Sequence, residues 1–255
     1  MTPKPIDISV VSYMNTWPFL YGLQNSPEAA RVFNPQLDYP SECARKLING
    51  EVAMGLIPVG ALLHIPNVEI VTNFCIGADD AVHTVTLFSH KPLAEVSKVV
   101  LDYQSTTSVL LTKVLLRNYW KKEVTYIMST PELRYDQIPD DTALLVIGDR
   151  CFDLYSKFNF ATDLATAWKD FTGLPFAFAV WVSRHDVDKQ YVANLQDALV
   201  WGVEHLDEAI AKFDDGSSIS VPKIKEYLTR NIQFSLTEPR RQAIKEFLRL
   251  AKREL

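Results

Sequence analysis

Short apolar runs alternate with helical stretches along most of this chain, and that alternation limits the folds open to it. Runs rich in Val, Ile, Leu and Phe stand at 6–12 (IDISVVS), 53–59 (AMGLIPV), 68–76 (VEIVTNFCI), 82–88 (VHTVTLF), 98–102 (KVVLD), 123–128 (EVTYIM), 143–149 (ALLVIGD) and 176–182 (FAFAVWV). Each reads as a strand. Between them the spacing predicts a helix at 41–49, with Ser41 as N-cap and Cys43, Ala44, Leu47 and Ile48 on one face. A second helix is expected at 105–120, apolar too broadly for a surface position. Residues 188–255 read as mostly helical, with a break at DDGSSISVP (214–222). Alternating β and α units imply an open, mainly parallel α/β sheet. The strands are too many for one small sheet, so two α/β lobes with a cleft between them are expected. In such sheets ligands sit beyond the carboxyl ends of strands.

Composition narrows the function. The chain has 255 residues, 47% of them hydrophobic and 22% charged, which suits a folded globular protein rather than a disordered one. A net charge of -5 gives no basic footprint for nucleic acid. Cys43, Cys75 and Cys151 are odd in number and at no metal spacing, and the five histidines form no ligand pattern. Neither a metal site nor a disulfide framework is expected. The start, MTPKPIDISVV, lacks the apolar core of a secretory signal, and no window approaches about 18 apolar residues. A cytoplasmic protein without a membrane span is the expectation. No GxGxxG, GxxxxGK[ST] or GxSxG occurs, and glycine is scarce at 9, which disfavours a nucleotide enzyme.

Polar residues collect at strand ends. In SVVSYMNTWPF (9–19), Ser12, Tyr13, Asn15 and Thr16 arrive together at the carboxyl edge of the first strand. A polar turn capping its own backbone would read the same way. In LDYQSTTSVLL (101–111) a strand runs into four hydroxyl residues and then a helix. One of Ser105 to Ser108 must be the N-cap. The others, Thr106, Thr107 and Ser108 among them, would offer hydroxyls and free N–H groups where the helix dipole is positive, a place for a carboxylate or phosphate. In LLVIGDRC (144–151), Gly148 admits a close approach and Asp149 stands at a strand end, where it would also serve as a cap. Thr84, in the HTV of 83–85, is a fourth candidate.

Taken together, SYMNTWPF, GEVAMGLIPV (50–59), CIGADDAVHTVTLFS (75–89), LDYQSTTS (101–108), IGD (147–149) and TGLPFAFAVW (172–181) resemble the chorismate dehydratases of the futalosine route to menaquinone. The resemblance covers at least residues 6–184. The related 1,4-dihydroxy-6-naphthoate synthases of that route share the fold but differ at the first strand, with an SPCPND-like element where this chain has SYMNT. A non-catalytic solute-binding protein of the same fold is the other alternative.

The resemblance implies a fold like type II periplasmic binding proteins, with residues 1–89 and 185–255 in one lobe and 90–184 in the other. It implies chorismate as a small-molecule substrate, no metal or organic cofactor, and dehydration to 3-[(1-carboxyvinyl)oxy]benzoate. Loss of the ring 4-hydroxyl and the 3-hydrogen makes the ring aromatic. Asn15 is then expected to be the catalytic residue, holding the leaving hydroxyl or a carboxylate. Ser12, Tyr13, Thr84, Thr106, Thr107, Ser108, Gly148 and Asp149 are expected to bind substrate. The quoted motifs hold no Lys and Asn15 is no base, so the substrate's enolpyruvyl carboxylate is the expected proton acceptor, with His83 and Asp149 as alternatives.

Overall fold

The computed structural model describes residues 5–214, 216 and 219–255. The first residues of MTPKPIDISVV and part of the expected break at 214–222 lie outside them. Eleven strands form two sheets among the described residues. The first half of the chain gives β1 (Ile6–Val11), α1 (Trp17–Asn25), α2 (Ala29–Val32), β2 (Phe33–Asp38), α3 (Pro40–Ile48), β3 (Met54–Pro58), β4 (Val68–Ala78), β5 (Val85–Ser89), β6 (Lys98–Leu101) and α4 (Thr106–Asn118). Then follow β7 (Thr125–Met128), β8 (Thr142–Ile147), β9 (Phe160–Asp163), α5 (Leu164–Thr172), β10 (Phe176–Arg184), α6 (Lys189–Glu204), α7 (Leu206–Phe213), α8 (Val221–Glu226), β11 (Gln233–Ser235) and α9 (Glu238–Ala251).

The six-stranded sheet has the order β11-β4-β10-β3-β1-β2, and the five-stranded sheet the order β7-β6-β8-β5-β9. Two lobes are therefore present, but neither sheet is mainly parallel. β1 pairs in parallel with β2 and β3, and β6 with β7 and β8; β10, β4, β11, β5 and β9 all join by antiparallel pairing. An apolar run reports burial on both faces, not the direction of its neighbour. The same ambiguity affects the expected division of the chain. Placing 1–89 with 185–255 assigns β5 and β10 to the opposite sheet from the one in which each pairs.

The core supports these sheets from both sides. β10 is buried at every position but its last, and Trp181 on it packs edge-on against Phe19 of α1. Trp168 of α5 is fully buried against Phe176 and Phe247. Aromatic pairs of this kind add about 0.5–1.5 kcal/mol beyond their burial. α9 is pinned to the end of β4 by Arg240, which is 3% exposed and donates to Asp79 at 2.5 Å and to the Ser235 carbonyl at 2.9 Å.

Candidate active site

Strand ends from both sheets and the start of α4 meet between the sheets. The cleft there has a cavity volume of about 50 Å³. After β1 the chain enters a single 3-10 turn at Met14–Thr16, which ends the strand and turns Asn15 into the cleft wall. Thr16 closes that turn by donating to the carbonyls of Val11 and Tyr13. Tyr13, Asn15, Thr84, Ser105, Thr107, Ser108 and Gly148 all line the cleft, among apolar residues such as Val11, Ile76, Ile147 and Phe178.

Each polar group has a definite environment. The Tyr13 hydroxyl donates to Gln104 Oε1. Burial pushes its pKa well above the usual phenol value, against the pull of nearby Arg150. Its ring lies over Gly148, whose φ of 70° is open to glycine and strained for other residues. Asn15 Oδ1 is shielded from water and has no partner among the described residues. A buried acceptor without a donor is costly, so it points to a group supplied from outside the chain. Thr84 is fully buried and shares a hydrogen bond with the Tyr227 hydroxyl at 2.8 Å.

The start of α4 resolves which hydroxyl is the cap. Ser105 Oγ accepts from the Ser108 N–H at 3.0 Å and donates to the Ser108 hydroxyl at 2.9 Å. Thr107 is occupied on both sides: its Oγ1 accepts from the Gly60 N–H and donates to the Phe178 carbonyl, each at 3.0 Å. What the helix start offers a ligand is its dipole and the Ser108 hydroxyl, whose proton is not used by Ser105.

Three expected residues lie elsewhere. Ser12 is exposed and donates its N–H to the Asp38 carbonyl, and Thr106 stays outside the cleft wall. Asp149 is turned away: both its carboxylate oxygens accept from the Met14 N–H, at 3.0 and 3.2 Å. Burial raises its pKa to about 6, with that N–H and Arg150 acting in the other direction. His83, the other alternative base, is exposed on a surface groove and anchored through its N–H to Asp163 at 2.7 Å.

Sequence reasoning missed Arg150, Asp102 and Tyr227. Buried Asp102 accepts from the N–H groups of Gln104 and Ile147 and from Arg150 at 2.7 Å. This pair sits behind Tyr13, and Arg150 also donates to Tyr135 at 3.1 Å. Arg150 stands beside Asp149 in the LLVIGDRC segment, a cation next to a proposed site, and that adjacency was the available signal.

This architecture defines a two-lobed protein of the periplasmic-binding-protein fold. A Candida albicans protein described as having the generic periplasmic binding protein fold superposes with a TM-score of 0.71 at 13% identity, over 97% of this chain and 90% of that one. A protein of Archaeoglobus fulgidus superposes with a TM-score of 0.77 at 15% identity, covering 98% of both chains. Within that fold the chain belongs to the menaquinone biosynthesis family, whose model matches residues 6–253. It is 27% identical over 270 residues to the chorismate dehydratase of Thermus thermophilus, covering 96% of this chain and 94% of that protein. No group of three or more His, Cys, Asp or Glu suited to a metal occurs among the described residues, and no helix there is long and apolar enough to cross a membrane.

Proposed function

We propose that this protein is a chorismate dehydratase, a hydro-lyase that forms 3-[(1-carboxyvinyl)oxy]benzoate and water in the cytoplasm, on the futalosine route to menaquinone. The likeness to the Thermus thermophilus enzyme supports the substrate. The observation that carries the chemistry is the cleft wall. It holds hydroxyls, one amide and a helix start, but no Asp, Glu, His or Lys among its described residues.

Such a wall suits a reaction that brings its own base. In chorismate the enolpyruvyl carboxylate stands next to the 3-carbon. It takes the 3-hydrogen as a proton, the C–H electrons enter the ring, and the 4-hydroxyl departs with the C–O electrons. The departing oxygen then recovers the proton and leaves as water, and the carboxylate is ionised again. Aromatisation drives the elimination. The start of α4 receives one carboxylate through its dipole and the Ser108 hydroxyl. A donor aimed at the ring carboxylate, onto which charge spreads as the proton leaves, is worth about 3 kcal/mol in the transition state. Asn15 holds the leaving hydroxyl.

The test is direct. The purified protein is incubated with chorismate, and the products are followed by chromatography and mass. Loss of one water with appearance of the enolpyruvyl benzoate ether is expected. Unchanged chorismate that raises the melting temperature would instead establish a binding protein and overturn the enzyme reading.

A further inference from the structure

The C-terminal segment reaches the polar wall of the cleft through Tyr227. This residue opens a π-helical turn, Tyr227–Asn231, directly after α8. Such turns are rare and frequently lie at functional sites. The Tyr227 side chain is 2% exposed and meets Phe152 edge-on at 5.3 Å. Its hydroxyl is 2.8 Å from Thr84 Oγ1. Burial keeps this phenol protonated by raising its pKa well above the usual value, and the bond with Thr84 only moderates that.

Proton counting gives this cluster a direction. A phenol has one proton to donate. Thr84 Oγ1 is the one hydrogen-bond partner of the buried Tyr227 hydroxyl among the described residues. The Tyr227 proton then goes to Thr84 Oγ1. The Thr84 proton is left facing the Val82 carbonyl at 3.5 Å, too long for a firm bond. We propose that Tyr227 is a positioning residue that sets the polarity of Thr84, fixing its hydroxyl as a donor to the cleft. Thr84 then donates to a substrate oxygen that carries negative charge. The inference rests on the dehydratase reading.

Tyr227→Phe removes one oxygen and keeps the ring. The expected result is a kcat lower by up to about 100-fold, the scale of a misplaced reacting group, with KM little changed. Thr84→Val should be slow as well, Thr84→Ser near the wild type, and Tyr227→Phe/Thr84→Val about as slow as Thr84→Val alone. A merely structural tyrosine would lower the melting temperature without this kcat-selective, non-additive loss. A Tyr227→Phe kcat equal to the wild type, or losses that multiply in the double variant, overturns the inference and leaves the dehydratase intact. No turnover by the wild type overturns both. If Tyr227→Phe does not fold, the Thr84 pair decides: equal activity of Val and Ser at 84 overturns the proposed donor.

Discussion

The ring of Tyr13 covers Gly148 so closely that a β-carbon at 148 would come within 2.8 Å of three ring atoms. Tyr13 follows β1 in one sheet and Gly148 follows β8 in the other, so this contact joins the lobes at the cleft. Gly148→Ala should therefore fail twice. It strains a backbone held at φ 70°, ψ -163°, a cost of about 1–3 kcal/mol, and it pushes Tyr13 from the wall. A lowered melting temperature and a raised KM for chorismate are expected. Adding Tyr13→Ala should relieve the clash but not the backbone strain, so part of the stability loss should persist in the double variant.

The sequence shows the site where chemistry is dense and local. Asn15, Thr107 and Ser108 stood in short polar clusters at strand ends, and the structure brings all three to one wall. Tyr227 was invisible because its partner Thr84 lies 143 residues away and its own surroundings read as an ordinary helix. The unrecognised strands share a physical cause. β2, β9 and β11 all lie at sheet edges, where a strand has one partner and mixed exposure. Pro35 further disguises β2, as proline is tolerated at an edge. Pairing direction was illegible for the reason already seen in β10: its apolar run is the same in either sense.

Asn15 carries the proposed chemistry, and its replacement separates binding from turnover. Asn15→Leu fills similar volume without polar atoms. Removing a preorganised group that acts on the leaving oxygen should cost about 10²–10³ in kcat. Chorismate should still raise the melting temperature, since the α4 start is untouched. Full activity in this variant would remove Asn15 from the mechanism.

Asp149 should act on stability rather than on turnover. Its folded pKa of about 6 exceeds its ordinary value of 3.8, so the folded state holds the proton more tightly. The stability this contributes is complete below the unfolded pKa and is lost as pH rises through about 6. Asp102 and Asp163 are shifted in the same direction by burial, so the wild-type profile alone does not isolate Asp149. Asp149→Asn keeps an acceptor for the Met14 N–H and removes the titration. Its melting temperature relative to the wild type should climb between about pH 4 and 6 and level off above. Chorismate turnover at neutral pH should be retained; abolished turnover with binding intact would make Asp149 the base.

Thr107 faces the cleft, but its hydroxyl is spent within the protein. It joins the start of α4 to Gly60, just after β3, and to Phe178 on β10. Thr107→Val keeps the shape and leaves a buried N–H and a buried carbonyl without their partner. An unsatisfied buried group costs about 1–3 kcal/mol, and in a chain of this size each kcal/mol moves the melting temperature by about 2–4 °C. Thr107→Ser restores both bonds and should restore most of the stability. If Thr107 acted mainly on the substrate, the valine variant would melt like the wild type and show its defect in KM. The two variants compared by thermal melting and by KM for chorismate therefore decide whether this hydroxyl braces the lobes or binds the ligand, and the hydrogen bonds on both of its sides favour the brace.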